Sequence, residues 1–298
     1  MHFIRFFMPF RVIARLDIKG PNLVKGIHLE GLRVLGRPET FAKRYYEDGA
    51  DELFYMDTVA SLLGRNSLLD IVERTARDVF VPLCVGGGIR KQEDIRKVLR
   101  AGADKVAINT AAIARPDFIR EAAEEFGSST IVVAIEAIRQ GDGSYLCFTN
   151  CGREHTGVDA FSWAKQAAAL GAGEIVITSV DREGTGRGFD LELTRRVAEA
   201  VPIPVIAHGG AGSVQHVVDV VKAGKCDAVA IASMLHYCAV KSIDVDLTAF
   251  PDEGNVEFLR HRRMEGFKLV DDMSITDLKG GLARAGIKAR LQEMRTHG

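Results

Sequence analysis

The chain has 298 residues, of which 47% are hydrophobic and 27% are charged, and its formal net charge is −1. A chain of this length can form one α/β barrel of about 250 residues or two smaller domains. Since acidic and basic residues balance, the charge gives no reason to expect binding to nucleic acid or to a membrane. The cysteines number five, which is odd, and most lie in apolar runs, so we expect a reducing, cytoplasmic location.

Short apolar runs alternate with amphipathic stretches along most of the chain. The apolar runs predict eight strands, at 11–17, 52–57, 82–86, 105–108, 131–136, 174–178, 204–207 and 228–231. Helical patterns lie between them, among others at 39–49, 91–101, 159–170, 191–200 and 214–223. Eight apolar strands separated by helices predict a parallel sheet with covered faces, and eight successive units predict a closed (βα)8 TIM barrel.

Two segments lie outside this alternation. Residues 1–10 are expected to be an N-terminal extension and start, followed by one barrel domain over 11–298. A charged stretch at about 238–274, with a short helical pattern at 255–264, separates the last strand from a final helix at 275–285. We interpret this stretch as an insertion that is either solvated surface or, since it follows a barrel strand, in contact with the site or a partner.

The two halves of the chain resemble each other. Pro82-Leu-Cys-Val-Gly-Gly-Gly returns as Pro204-Val-Ile-Ala-His-Gly-Gly, at an offset of about 122 residues. Asp104-Lys-Val-Ala-Ile likewise returns as Asp227-Ala-Val-Ala-Ile. Two tandem half-barrels of four units each explain these matches.

Glycine-rich or polar residues follow four of the predicted strands. Glycine lets the backbone approach a ligand closely, and a helix that begins there points free N–H groups at an anion. Because strands three and four are neighbours in a barrel, as are seven and eight, we predict two phosphate sites on opposite sides of one mouth. The residues concerned are Gly86, Gly87 and Gly88 after strand three, Asn109 and Thr110 after strand four, Gly209 and Gly210 after strand seven, and Ala232 and Ser233 after strand eight.

Two carboxylates end strands that oppose each other in an eight-stranded barrel. Asp17 closes the first strand and Glu136 closes the fifth. They would face a central pocket from opposite sides, which suits one general acid and one general base acting on a ligand between them. Asp57, Asp181 and Glu183 add acids to the same rim, either as loop charges or as part of the chemistry.

Four charged residues begin strands at the opposite end of the barrel. They are Arg11, Glu52, Lys105 and Glu174. We predict that they form a ring of ion pairs at the barrel floor, which acts either as a stabilising plug or as a gate.

Cys147, Cys151 and His155 have a spacing that resembles a metal site. They supply only three ligands, and the neighbouring Gly-Asp-Gly indicates a hairpin after the fifth strand. We therefore predict no metal site and no cofactor.

A family resemblance rests on ten short motifs in order. They are Leu16-Asp17, Val24-Lys25-Gly26, Gly49-Ala-Asp-Glu-Leu53, Val85-Gly-Gly-Gly-Ile89, Gly102-Ala-Asp-Lys-Val106, Ile108-Asn-Thr-Ala111, Gly171-Ala-Gly-Glu174, Asp181-Arg182, Gly209-Gly-Ala-Gly212 and Ala232-Ser233. Over about 11–237 and the last helix, the chain resembles the cyclase subunit of imidazole glycerol phosphate synthase, from histidine biosynthesis.

The resemblance implies a (βα)8 barrel that forms a heterodimer with a glutaminase subunit. Ammonia from glutamine would pass through the barrel and attack a bisphosphorylated ribulosyl aminoimidazole carboxamide intermediate, giving imidazole glycerol phosphate and the carboxamide ribotide.

The resemblance also implies a role for each matching residue. Asp17 and Glu136 would be the catalytic acids, and Lys25 would be a loop lysine that helps to hold the substrate. Phosphate and substrate binding would fall to Gly87, Gly88, Asn109, Thr110, Glu183, Gly184, Gly209, Gly210, Ala232 and Ser233. The ammonia gate would be Arg11, Glu52, Lys105 and Glu174.

Four residues depart from the pattern of the family. Glu136 and Glu183 stand where aspartate is usual, Arg15 stands where cysteine is usual, and His208 replaces a small serine. One extra methylene moves a carboxylate by about an ångström, which matters where reacting atoms must be aligned. Arg15 shares the inward face with Asp17 by strand alternation, so it is expected to narrow the ammonia route and to lower the pKa of Asp17 or Glu136.

These departures, with the insertion, leave several functions open. The preferred one is the histidine-pathway cyclase, and the first alternative is a paralogous synthase subunit that delivers ammonia to another acceptor in surface-sugar or specialised metabolism. A related sugar-phosphate isomerase would need no ammonia, so the floor residues argue against it. A barrel that only binds and activates a partner would not need Asp17.

Overall fold

The structure, a computed structural model, describes residues 9–59, 68–243 and 269–290. Its strands are β1 (Arg11–Lys19), β2 (Asn22–Ile27), β3 (Glu30–Gly36), β4 (Glu52–Asp57), β5 (Leu83–Gly86), β6 (Lys105–Ile108), β7 (Ile131–Arg139), β8 (Tyr145–Thr149), β9 (Glu154–Asp159), β10 (Glu174–Ser179), β11 (Val205–His208) and β12 (Ala228–Ile231). Its helices are α1 (Pro38–Glu47), α2 (Leu69–Asp78), α3 (Gln92–Arg100), α4 (Thr110–Ala114), α5 (Asp117–Phe126), α6 (Ala160–Ala169), α7 (Leu191–Ala200), α8 (Val214–Lys222), α9 (Ser233–Ser242) and α10 (Ile275–Arg284).

Eight of these strands form a closed parallel barrel. Their order is β1, β4, β5, β6, β7, β10, β11 and β12, and β12 pairs with β1 to complete the circle. Helices follow the strands and cover the outside of the barrel. The predicted (βα)8 barrel is confirmed.

Both faces of the barrel strands are buried, which explains their nearly continuous apolar sequences. In β1, Val12, Ala14 and Leu16 belong to the large core between strands and helices. Ile13 points the other way, into a smaller cluster inside the barrel that also contains Phe54 and Val176. The alternation therefore places every second residue of β1 on the inward side.

Two antiparallel hairpins extend the barrel at its mouth. The hairpin after the fifth barrel strand is confirmed, since β7 pairs with β8 and the N–H of Gln140 donates to the carbonyl of Ser144 at 2.8 Å. The hairpin formed by β2 and β3 was not predicted, although β1 runs on to pair with β2. It carries Lys25 over the mouth.

The half-barrel repeat is visible in equivalent hydrogen bonds. The N–H of Leu83 donates to the carboxylate of Asp104 at 2.8 Å, and the N–H of Val205 donates to that of Asp227 at 2.8 Å. In both cases the acid just before one strand fixes the start of the preceding strand. The same sequence motif thus makes the same contact in each half.

Side-chain caps start several of the outer helices. Asp159, Asp190, Ser213 and Ser274 each accept a hydrogen bond from a backbone N–H in the first turn, at the start of α6, α7, α8 and α10. Such caps satisfy donors that the helix itself leaves unpaired. None of the helices within the described ranges is long and apolar enough to cross a bilayer.

Ion-pair and hydrogen-bond contacts connect the last helix, α10, to the segment before β4 and, through it, to the start of β1. The ammonium of Lys279, on α10, binds the carboxylate of Asp51 at 2.6 Å and the carbonyl of Gly49 at 2.7 Å. Asp51 also accepts from the N–H of Val12 at 2.8 Å. The N–H of Phe10 donates to the carbonyl of Lys288 at 2.7 Å, so the two ends of the barrel lie side by side.

Parts of the predicted flanking segments lie outside the described residues. These parts are 1–8 of the predicted extension and 244–268 of the predicted insertion, including the helical pattern at 255–264. The first residues assigned to the insertion, up to Ser242, continue α9.

We expect Asp51→Ala to lower the free energy of unfolding by about 3 kcal/mol, because it removes one partner of a buried ion pair and leaves Lys279 without its carboxylate. Urea unfolding followed by circular dichroism measures this. Asp117→Ala is the control, since Asp117 and its partner Arg120 are both more than half exposed and should lose less than about 1 kcal/mol. Equal losses in the two variants would contradict the structural role of Asp51.

Candidate active site

A cavity of about 350 Å³ opens at the carboxyl ends of β4 to β7. It brings together residues that the sequence analysis assigned to a phosphate site and to catalysis. They are Gly87, Gly88, Asn109, Thr110 and Glu136. The first predicted anion site and one of the two acids therefore share one cavity.

Asp17 ends the inward-facing row of β1 and is 2% exposed. Its Oδ1 accepts a hydrogen bond from Nε of Arg15 at 2.9 Å. Burial by itself would raise the pKa of Asp17, but the Arg15 guanidinium and then the Lys25 ammonium hold that pKa below its usual value. Asp17 is thus an ionised carboxylate.

Glu136 lies four barrel strands away from Asp17 in either direction, on β7, and is 7% exposed. Its Oε2 accepts from the N–H of Gly152, in the β8–β9 turn, at 2.8 Å. Burial raises the pKa of Glu136 to about 7, against the opposing effect of Arg15. At neutral pH Asp17 is therefore ionised, whereas Glu136 carries its proton in about half of the molecules.

The second glycine cluster leaves no room for a side chain. Gly210 has φ +104°, and a Cβ there would lie 2.1 Å from the carbonyl oxygen of Gly188. Gly87, in the first cluster, has φ +98°, and its Cβ would lie 2.4 Å from the carbonyl oxygen of Asp57. In both clusters glycine is required by backbone conformation and by close packing of the loops.

The second cluster lies beside the loop that follows β10. A cavity of about 270 Å³ there is lined by Gly184, Thr185 and Arg187, together with His28 of the β2–β3 hairpin. The N–H of Asp271 donates to the carbonyl of Gly212 at 2.8 Å, so the end of the predicted insertion packs on this glycine loop. Ala232 and Ser233 stand at the start of α9, after β12, as predicted from their position.

Lys25 is held against Glu183. The Lys25 ammonium is ion-paired with Oε1 of Glu183, and Oε2 of Glu183 accepts from the N–H of Leu29 at 2.9 Å. One carboxylate thus fastens both the lysine and the β2–β3 hairpin to the loop after β10. The ammonium also donates to the carbonyl of Gly26 at 2.9 Å, so two of its three N–H groups have partners within the protein.

Arg15 and His208, two of the departures from the family pattern, contact each other inside the barrel. Nη1 of Arg15 lies 3.2 Å from Nδ1 of His208, and the guanidinium lies 5.6 Å from the centroid of the Phe54 ring. Burial, followed by the charge of Arg15, lowers the pKa of His208 well below its usual value. His208 is therefore neutral.

The four floor residues form a closed ring of ion pairs. Arg11 binds Glu52 at 3.0 Å and Glu174 at 2.8 Å, while Lys105 binds each of the same carboxylates at 2.9 Å. The apolar cluster inside the barrel separates this ring from Asp17 and Glu136. Any small molecule that moves along the barrel axis must pass both.

The residues with metal-like spacing do not meet. Cys147 is buried in the core, Cys151 lines the larger cavity, and His155 packs edge-on against Phe148. Among the described residues no group of three His, Cys, Asp or Glu side chains has a geometry that could hold a metal ion.

Two arginines at the larger cavity were missed by the sequence analysis. Arg90 and Arg115 both line it, beside Gly88 and Thr110. Arg115 is ion-paired with Glu121 at 2.5 Å. The available signal was the position of each arginine soon after a glycine-rich or polar strand end, where a cation can assist anion binding.

Paired acids and two glycine loops at the mouth of a closed barrel are typical of a (βα)8 enzyme that acts on a phosphorylated substrate. A family model described as "Histidine biosynthesis protein" matches residues 11–241. The imidazole glycerol phosphate synthase subunit HisF of Legionella pneumophila is 58% identical over 205 residues, which are 69% of this chain and 97% of that protein. The chain belongs to the histidine biosynthesis protein family.

The raised pKa of Glu136 predicts a pH-dependent stability. In the unfolded chain Glu136 ionises near its ordinary value of 4.5, whereas in the folded chain it keeps its proton up to about pH 7. Its stabilising contribution is therefore fully present below about pH 4.5 and is lost as the pH rises through 7. The free energy of unfolding of Glu136→Gln minus that of the wild type should therefore increase by about 3 kcal/mol as the pH is raised from 4.5 to about 8.

Urea unfolding at several pH values measures this difference. Asp17→Asn is the matched control with the opposite sign, because the lowered pKa of Asp17 gives a contribution that is present above its unfolded value and lost on acidification. A pH-independent difference between Glu136→Gln and the wild type would show that Glu136 titrates normally.

Proposed function

We propose that this chain is the ammonia-dependent cyclase subunit of imidazole glycerol phosphate synthase, a lyase. It would convert a bisphosphorylated ribulosyl aminoimidazole carboxamide intermediate to imidazole glycerol phosphate and the carboxamide ribotide. The observation that carries this proposal is the 58% identity to the Legionella subunit over 97% of its length. The comparisons do not favour the alternative acceptor of a paralogous pathway.

The two glycine clusters follow β5 and β11, which lie opposite each other in the barrel, and this placement supports a substrate with a phosphate at each end. One phosphate would be held by Gly87, Gly88, Asn109 and Thr110, and the other by Gly184, Gly209, Gly210, Ala232 and Ser233. Backbone N–H groups at the glycine loops and helix N-termini would donate to the phosphate oxygens, so neither site needs an excess of basic residues. Lys25 would add a cation to the bound substrate after it leaves Glu183.

The two acids supply complementary proton transfers. When ammonia adds to the carbonyl carbon of a ribulosyl group, the nitrogen must lose protons and the carbonyl oxygen must gain protons before it leaves as water. Asp17, which is ionised, suits the proton acceptor. Glu136, with its pKa raised to about 7, suits the proton donor at neutral pH.

Ammonia would enter at the floor of the barrel. A glutaminase subunit that forms a heterodimer with this chain would release ammonia beside the ring of Arg11, Glu52, Lys105 and Glu174. The ring is closed by four ion pairs, so at least one pair must open for ammonia to pass. The five free thiols agree with the reducing environment of a cytoplasmic complex.

The deciding experiment is incubation of the chain with the bisphosphorylated intermediate and ammonium, with chromatographic detection of imidazole glycerol phosphate. We expect product from the wild type and a loss of kcat of about 100-fold or more in Asp17→Asn and in Glu136→Gln, because each removes one proton-transfer group. Asp142→Asn is the control, since Asp142 lies in the exposed turn between β7 and β8, where its carboxylate accepts from Ser144. Normal turnover in both acid variants would refute the assignment, and absence of product with the wild type would favour another acceptor.

The floor ring predicts a second result. Lys105→Met removes two of the four ion pairs and leaves Arg11 as the only cation of the ring that binds Glu52 and Glu174. We expect more ammonia to escape to solvent before it reaches the substrate. With the glutaminase subunit present, we expect the amount of glutamine hydrolysed per molecule of product to rise above one. Lys97→Met is the control, because Lys97 is exposed on the outer helix α3. An unchanged ratio in Lys105→Met would leave the ring as a stabilising plug.

A further inference from the structure

Arg15 is a buried cation in the centre of the barrel. It is 2% exposed and belongs to the inward row of β1, between Ile13 in the apolar cluster and Asp17 at the mouth. A guanidinium buried at this depth is costly unless charged and polar groups compensate it. Its contacts therefore indicate what it does.

Three strands fix the position of the guanidinium. Asp17 on β1 accepts from its Nε at 2.9 Å, His208 on β11 lies 3.2 Å from its Nη1, and the ring of Phe54 on β4 lies beneath it. Because arginine has no acceptor, Nδ1 of His208 must accept, and the neutral ring then carries its proton on Nε2. The guanidinium therefore contacts one negative group, Asp17, and two neutral groups, the rings of His208 and Phe54.

Only one of the two acids at the mouth is hydrogen-bonded to the Arg15 guanidinium. Asp17 has the direct contact with Arg15, whereas Glu136 accepts a backbone N–H from Gly152. Lys25, His236 and Glu136 also act on Asp17, and Asp17 and Arg153 also act on Glu136. Cys151 interacts with both acids. Glu183 also acts on Arg15.

We propose that Arg15 is a positioning residue that commits Asp17 to the role of proton acceptor and leaves Glu136 as the proton donor. An acid in contact with a fixed cation stays ionised, while a buried acid without that contact keeps its proton. This agrees with the lowered pKa of Asp17 and the raised pKa of Glu136. The inference rests on the proposed acid–base pair and adds the group that makes its two members unequal.

The pH profile of ammonium-dependent turnover tests the proposal in the full chain. In Arg15→Met the acidic limb, which reports ionisation of the proton acceptor, should move up by at least about one pH unit, since an opposite charge in contact shifts a carboxyl by that much. The alkaline limb should move less, because Glu136 lacks the direct contact. Arg15→Lys keeps the charge and should recover most of the acidic limb.

Phe54→Leu is the matched control. It removes the ring beneath the guanidinium and leaves every charge in place, so it should change neither limb even if kcat falls. Circular dichroism confirms that each variant is folded, and Arg15→Gln replaces Arg15→Met if the latter is not. A folded neutral variant whose acidic limb coincides with that of the wild type overturns the proposal.

Infrared spectroscopy gives a readout that does not need turnover. At neutral pH the wild type should show a protonated-carboxyl band that disappears in Glu136→Gln and persists in Asp17→Asn. On acidification, the Asp17 band, identified by its absence from the Asp17→Asn variants, should appear at least about one pH unit higher in Arg15→Met than in the wild type. If the wild type forms no product from the bisphosphorylated intermediate and ammonium, the proposed function fails, and the infrared comparison still decides the role of Arg15. An Asp17 band that appears at the same pH in Arg15→Met and in the wild type refutes that role.

Discussion

Hydrogen bonding between β7 and β10 and between β12 and β1 closes the sheet, and the remaining features of the molecule depend on this closure. In an open sheet, Asp17 and Glu136 would end strands four positions apart on one edge. The closed barrel places the two acids on opposite sides of its mouth, where Glu136 lines the larger cavity. It also brings His208 against Arg15, which lies 193 positions earlier in the chain.

Charge inside the barrel is balanced locally. The floor ring, the Arg15–Asp17 pair and the Lys25–Glu183 pair each join opposite charges, and a net charge of −1 for the chain is consistent with this matching. Buried ion pairs contribute little to stability compared with apolar packing of the same volume. Their presence along the axis and at the mouth therefore agrees better with the proposed ammonia passage and proton transfers than with a role in folding alone.

The sequence predicted those features that depend on local patterns and on strand order. The apolar runs indicated the barrel strands because both faces of each strand are buried, and the strand order placed Asp17 opposite Glu136. The β2–β3 hairpin was not predicted, since charged residues and glycines interrupt the apolar pattern of its strands, and its contact with Glu183 arises only when the hairpin folds over the mouth. The sequence also left open which acid Arg15 would affect more, because that depends on a side-chain contact of 2.9 Å.

The contact between Phe10 and the segment after α10 has a topological consequence. Because Phe10 bridges to Ala289, the barrel units form a ring in which the first and last elements are neighbours. The chain order is then only one of several ways to thread the same strand pairs. A circular permutant could join the original termini by a linker and open the chain between α5 and β7, at the boundary between the two half-barrels. It would keep every strand pairing. Both changes would lie on the floor side of the barrel, away from the mouth.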